Sequence, residues 1–331
     1  MRMANAAAMM SVICWSGAVV AQETITLSLS TFLPPQNVMS LEFERWAEEV
    51  AELSDGRLEI EIFPAGQMGP PAAQYDIARS GAADLAYHLH GLTPGRFPLT
   101  ELSYLPGMIN GAEQGSIALA ELTPDYLAAE HKGVKLLYIV AAAPIRVLTG
   151  DARIDTIEDM RGLRLRHPSS VIGGSLSAVG AVPVAVPPPE MGDALARGII
   201  DGVATSIEAA QSFRFIEHIA YANDINIGTG TFAMVMNQAS YDGLPPALQA
   251  VIDRTTGLAA ARRGGRIYDA AEARVWDEVR DSIERVDLSD AESARFDAVF
   301  SDYAQTVIAE HETKSLPARQ VFDHLLKSAN R

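Results

Sequence analysis

The chain has 331 residues, with 26 Lys and Arg against 42 Asp and Glu and a formal net charge of −16. That balance excludes nucleic acid as a partner, since it needs clustered Lys and Arg, and argues against an anionic membrane surface. An anionic ligand would have to be held by a few locally placed cations, because the field of the whole protein repels it.

At the start of the chain, Arg2 precedes an apolar run from about Ala6 to Val20 that contains no acidic residue. Val19-Val20-Ala21 puts small or modest side chains before a cut at Gln22, so residues 1–21 are expected to be a secretory signal peptide. The run is too short to span a bilayer comfortably. The single cysteine, Cys14, lies inside it after Ser11-Val12-Ile13, which lacks the small residues expected before a lipid-modified cysteine. The remaining chain has no thiol and must rely on its hydrophobic core, for which about 310 residues suffice in two domains. A bacterial periplasm is the expected location. Loss of Arg2 with the signal leaves 25 − 42 = −17.

Beyond the signal, Thr24–Ser30 alternates as a strand, and a helix is expected from about Met39 to Leu53, stopped by Ser54-Asp55-Gly56. Arg57–Phe63 is a second strand closed by Pro64. A helix over about Pro71–Ser80 ends at Gly81, and Asp84–Leu89 is a third strand. This β-α-β-α-β order is that of a doubly wound sheet. Strands near Lys135–Ala142 and Gly162–Arg166 and a helix at Ser170–Val179 open the second half. A Pro-rich crossing at Val182–Pro189, a helix at Glu190–Arg197 and a strand at Gly202–Thr205 continue it. The echo between Ala78-Arg-Ser-Gly-Ala-Ala-Asp84 and Ala196-Arg-Gly-Ile-Ile-Asp201 favours two lobes of similar architecture. From Pro246 to Ile283 no proline interrupts good helix formers, a span of roughly 55 Å at 1.5 Å per residue, with kinks expected at Gly257 and Gly264-Gly265. Helices at Asp290–Glu312 and Ala318–Ser328 complete the chain.

One stretch carries chemistry: Gly162-Leu-Arg-Leu-Arg-His-Pro168, a short basic strand in an acidic protein. Alternation puts Leu163 and Leu165 on one face and Arg164 and Arg166 on the other. Pro168 ends the ladder, leaving Arg166 near the carboxyl end, where open α/β sheets bind ligands. A guanidinium there can clamp a carboxylate through two parallel hydrogen bonds, or it can simply pair with a surface acid.

The chain resembles the substrate-binding proteins of tripartite ATP-independent periplasmic (TRAP) transporters, of the DctP type. The resemblance rests on Phe63-Pro-Ala-Gly-Gln-Met-Gly69, Ser80-Gly-Ala-Ala-Asp84, Pro94-Gly-Arg-Phe-Pro98 with Leu105-Pro106, and Asp159-Met-Arg-Gly-Leu-Arg-Leu-Arg166. Gly180-Ala-Val-Pro183, Glu190, Gly198-Ile-Ile-Asp-Gly202 and Asn237–Leu244 extend it. No single piece is specific; their order and spacing are. The resemblance implies an α/β, two-lobed periplasmic binding protein fold, each lobe a mixed sheet flanked by helices, with a long inter-lobe helix and a helical C-terminus. The expected division is residues 22–143 with about 231–270 in lobe I, and 144–230 with about 271–331 in lobe II.

It further implies that Arg166 holds the ligand carboxylate, that Arg146 supplies a second cationic position, and that Ser169 is a small polar contact. Two positions depart from the pattern. Thr205 stands where the family commonly offers an amide, and Pro188 where many relatives have an aromatic residue. His88 and His90 share one strand face and Tyr87 and Leu89 the other. Two histidines could ligate a metal, but no Cys or acidic third ligand lies nearby in sequence, so no metal or other cofactor is assigned. His88, His90 and Tyr87 are taken as a wall of the pocket in the first lobe. Phe32 and Phe232 are candidate aromatic walls, with hydrophobic core as the alternative. The expected activity is capture of a small organic acid by hinge closure and delivery to the small and large membrane subunits of a TRAP permease, by a monomer. A ligand-presenting partner of a chemoreceptor or kinase is the alternative, and a periplasmic hydrolase a weaker one. No nucleophile elbow, His-Glu-x-x-His or P-loop is present.

Overall fold

The structure, a computed structural model, describes residues 24–329. The expected signal peptide lies outside the described residues.

Alternation in the first part of the chain produces the β-α-β-α-β order expected of it. Strand β1 (Ile25–Thr31) leads to helix α1 (Val38–Leu53), β2 (Leu58–Phe63), α2 (Gln74–Ser80) and β3 (Leu85–Leu89), and β1 pairs in parallel with both β2 and β3. Asn37 caps α1 by accepting from the Met39 amide, satisfying one of the free N–H groups of its first turn. Helix α3 (Ala112–Leu122) then precedes β4 (Val134–Thr149), β5 (Arg164–His167), α4 (Ser170–Ala178), β6 (Val182–Ala185), α5 (Met191–Ala196), β7 (Gly202–Thr205) and α6 (Ile207–Ser212). After β8 (Tyr221–Asn237) come α7 (Gln238–Asp242), α8 (Pro246–Thr255), α9 (Gly257–Val279), β9 (Glu284–Val286), α10 (Asp290–Thr313) and α11 (Ala318–Ala329).

Among the described residues nine strands form one sheet in the order β2-β1-β3-β8-β4-β7-β5-β6, with β9 beside β8. Two long antiparallel strands, β4 and β8, make it continuous. Residues 134–141 of β4 pair with 231–237 of β8 beside β3, and residues 144–149 pair with 221–229 beside β7. The ladder breaks register between Ala141 and Pro144 and again between Ile145 and Val147, where the two strands cross from one half to the other. Pro144 has no N–H to give, and a bulge is where a sheet tolerates that.

Two expectations change, and one long strand is found where none was expected. Val182–Pro189 is no plain crossing, because its first four residues are β6, the edge strand beside β5, where Pro183 is tolerated. The strand β8 holds Asn, Asp and Gly and is built by pairing with the distant β4, so its local pattern does not announce it. The long helix breaks only at Thr256-Gly257, with Gly257 at φ +68, and α9 runs straight through Gly264 and Gly265. Those two glycines serve close packing. A Cβ on Gly265 would stand 2.5 Å from the Ala112 carbonyl oxygen and 2.6 Å from the Glu113 Cα.

Helix α9 also ties the halves together through two carboxylates one turn apart. Asp269 accepts from the Ala112 and Glu113 amides at 2.7 and 2.9 Å, capping α3, whose own N-cap is Gly111. Glu272 accepts from the Ile207 and Glu208 amides at 3.3 and 3.0 Å, at the start of α6. Negative charge at a helix N-terminus is stabilising.

Candidate functional site

The carboxyl ends of β1, β3, β5 and β7 converge on one cavity between the halves. Phe32, Leu33, Asn37, Leu89, Phe232 and Tyr268 line it from the first half. Arg166, Pro188, Met191, Thr205, Glu208 and Phe213 line it from the second. Its volume is about 60 Å³, room for roughly four to six waters at ~10–15 Å³ each. That suits a small acid and not a nucleotide.

Arg166 is 2 % exposed. Its Nε donates to the Val186 carbonyl at 3.0 Å, while Nη2 finds no partner among the described residues. Among the described residues no carboxylate pairs with it, and burial pushes its pKa down to about 9. Such a cation stays buried at a free-energy cost unless an anion arrives beside it. Arg164, two residues earlier, is exposed and forked onto Asp201, so the two arginines of the strand have separate fates.

The wall opposite is aromatic. Phe32 and Phe232 stack at 6.3 Å, and Phe232 and Tyr268 at 5.9 Å. Tyr87 stands behind this wall, stacked on Phe232 at 5.1 Å, with its hydroxyl 3.5 Å from that of Tyr268. Thr205 lines the cavity at the end of β7 and is 7 % exposed. Pro188 lines it too.

Five of the expected residues do not line the cavity, Tyr87 among them because it stands behind Phe232. Arg146 lies opposite Thr205 in register but is ion-paired with Asp224 and does not line the space. The Ser169 hydroxyl accepts from the Ile172 amide at 3.1 Å as the N-cap of α4 and faces a separate surface hollow. His88 and His90 pack against each other at 4.7 Å between centroids, in a buried cluster with Phe97 and His131. Strand alternation is the reason: Tyr87 and Leu89 point toward the cavity side, so His88 points away.

Glu208 and Asn37 escaped the sequence reading. Glu208, in the first turn of α6, reads as an ordinary acid beside a helix N-terminus, and Asn37 as a cap. In the fold Asn37 Nδ2 donates to Glu208 Oε1 at 3.1 Å and to the Ser212 hydroxyl at 3.0 Å, and Gln36 Nε2 to the Ser212 carbonyl at 2.8 Å. These bonds join the halves across the cavity mouth. Burial holds the Glu208 carboxyl up at about 7, aided by Glu272 and opposed by the Ser212 hydroxyl and Arg274.

The halves also meet at Gly91, where a Cβ would stand 2.5 Å from Ser169 Cβ and 2.6 Å from the Pro168 carbonyl oxygen. Gly91 is not in a left-handed conformation, so alanine adds bulk without backbone strain. We expect Gly91→Ala to weaken ligand affinity by about tenfold, from overpacking of ~1–3 kcal/mol borne by the closed form. Calorimetric titration checks this, and an affinity equal to wild type would mean that the contact is not tight in the closed protein.

Residues 29–311 match the model of the DctP family, described as bacterial extracellular solute-binding protein, family 7. The chain belongs to that family. A TRAP solute-binding protein of an unidentified marine microbe, specific for aromatic acids and solved with metahydroxyphenylacetate, aligns at TM-score 0.89 and 30% identity, over 92% of this chain and 98% of its own. Another, from Rhodoferax ferrireducens T118 with copurified benzoate, aligns at 0.88 and 30%, over 93% and 98%. A third, a periplasmic protein of Bordetella bronchiseptica with bound (R)- and (S)-mandelate, aligns at 0.86 and 28%, over 92% and 99%. The family and these neighbours are transport solute-binding proteins and not enzymes, which removes the hydrolase alternative. Among the described residues no helix is long and apolar enough to cross a membrane.

Proposed function

We propose that this protein is exported to the periplasm, captures a small aromatic carboxylate as a monomer and delivers it to the two membrane subunits of a TRAP permease. In this reading one lobe comprises residues 22–143 with about 231–270, and the other residues 144–230 with about 271–331. The observation that carries the ligand class is buried Arg166, its Nη2 without a partner among the described residues, lining a cavity walled by Phe32, Phe232 and Tyr268. Arg166 and the Thr205 hydroxyl take the carboxylate, and the aromatic wall takes the ring through offset stacking. Arg146, paired with Asp224 beside the crossing strands, braces Arg166's lobe and does not touch the ligand. The aromatic acids bound by the similar solved proteins support this reading. Ligand binding favours the closed form through contacts made to both lobes at once.

A thermal-shift series with benzoate, 3-hydroxybenzoate, mandelate, glucuronate and succinate tests the class. Stabilisation by the aromatic acids is expected, because a ligand that binds only the native state raises apparent stability. Stabilisation by succinate or glucuronate alone would overturn the aromatic assignment.

Glu208 gives this affinity a pH dependence. Its carboxyl, held up at about 7, is largely neutral at pH 6 and ionised at pH 8, whereas an aromatic acid is already ionised throughout that range. An anion entering beside Glu208 favours the neutral form, so affinity falls as pH rises, by up to about tenfold per unit above pH 7. Neutral Glu208 can also donate to a ligand hydroxyl. Titration calorimetry at pH 6, 7 and 8 is expected to show this slope in wild type and a flat profile in Glu208→Gln. A slope retained in Glu208→Gln would assign it elsewhere.

A further inference from the structure

On the face of the first-half sheet away from the cavity, three histidines converge. His88 comes from β3, His90 from the turn that follows it and His131 from the segment before β4, and they are 2 %, 0 % and 3 % exposed. One ligating nitrogen from each falls within 4.8 Å of the others. The sequence offered two of them and hid the third, 41 residues beyond His90.

Their hydrogen bonds determine which ring nitrogens carry lone pairs. His90 Nδ1 lies 2.8 Å from the Thr231 carbonyl oxygen, and His131 Nδ1 lies 2.9 Å from the Leu127 carbonyl oxygen. A carbonyl only accepts, so each Nδ1 must bring the proton, and a neutral imidazole has only one. Both Nε2 atoms then present lone pairs, and they face each other at 3.0 Å. Two acceptors do not bond, so a cation belongs between them. His88 completes the set: neither of its ring nitrogens has a partner among the described residues. A protonated ring would leave an imidazolium buried without a carboxylate partner, and it would still leave His88 unsatisfied. The metal-free alternative moves the His90 proton to Nε2, which then donates to His131 Nε2, while the Thr231 hydroxyl, 3.0 Å away, donates to Nδ1. That sets a lone pair against the Thr231 carbonyl and again gives His88 nothing.

We propose that His88, His90 and His131 hold a first-row transition-metal cation, zinc or copper(I), as a structural clip in the first half. Imidazole-only ligation suits these metals. Zn–N bonds of ~2.0–2.1 Å in a tetrahedron put the ligand nitrogens about 3.3 Å apart, which small ring movements from the observed separations supply. The Nδ1–carbonyl bonds are the outer-shell contacts that usually orient metal-binding histidines. The clip joins the end of β3 to the chain entering β4, and its burial means that the metal is acquired during folding.

The test is metal content after refolding. Protein unfolded in guanidinium with chelator is refolded with zinc, or with copper(I) under anaerobic reducing conditions, then desalted and analysed by mass spectrometry of the metals. About one equivalent of one metal is expected in wild type, and less than about a tenth in His88→Phe and in His131→Gln. The metal-loaded wild type should melt several degrees above the metal-free form, because the ion binds only the native state. Wild type that refolds with neither metal, or variants that retain as much as wild type, would overturn the site. Circular dichroism confirms that each variant is folded, and metal content is read independently of any ligand for the cavity.

Discussion

Arg166→Ala is expected to lower affinity for the bound acid by between about 30-fold and several thousand-fold, since losing one partner of a desolvated charge pair costs ~2–5 kcal/mol. Arg166→Lys keeps the charge but loses the planar fork and should recover only part of this. The same residue makes an opposite prediction for the free protein. Among the described residues its guanidinium has one hydrogen bond, an unpartnered Nη2 and no counter-charge, so it contributes no ion pair to their packing. Arg166→Met removes that uncompensated charge and keeps an apolar stem of similar reach. Its ligand-free form should melt at or above the wild-type temperature while binding is lost. A structural arginine would behave in the reverse way, with lower melting temperature and modest binding change. Melting curves with and without ligand read both quantities, and unchanged affinity in the alanine variant would sink the clamp.

The strand that carries Arg166 was legible because its signal is local. Period-two alternation separates Arg164 from Leu165, and Pro168 marks the end beyond which the chain leaves the sheet. Strands β1 to β3 and helices α1, α10 and α11 were readable on the same grounds of alternation, helix stops and unbroken helix formers. What escaped depends on partners far away in sequence. The strand β8 owes its existence to β4, and β9 to β8. Gly264 and Gly265 looked like kinks because the approach of α3 that requires them is not written in their neighbourhood. Tyr87 and His88 were both assigned to the pocket, although adjacent strand residues face opposite sides and only one side could be right. Glu208 became a cavity wall through Asn37, more than one hundred and fifty residues away, and no local pattern distinguishes it from the other acids that open helices.

Gly228→Ala should be the most damaging single methyl in the protein. Gly228 sits in β8 where the strand passes between the halves, opposite Ile145 at the edge of a register break. Its φ of +133 is a conformation that residues with a Cβ rarely adopt, and such strain costs ~1–3 kcal/mol. The space is closed as well. A Cβ there would fall on the Tyr104 carbonyl oxygen and stand 2.9 Å from its carbon and 2.7 Å from Ile172 Cδ1. Backbone cannot rotate away as a side-chain tip can, so overpacking adds a further ~1–3 kcal/mol. For a chain of this size a loss of about 2–6 kcal/mol lowers the melting temperature by roughly 3–9 °C. Gly198→Ala is the matched control, since Gly198 has φ +62 and no atom within 4 Å of an added Cβ, leaving strain without collision. The difference between the two variants isolates the close approach of the crossing strand to Tyr104. The Tyr104 hydroxyl in turn accepts from the Thr231 and Gly91 amides on the first-half side. Equal melting temperatures for the two variants would mean that β8 can give way at its crossing, and that the joint between the lobes is softer than its packing implies.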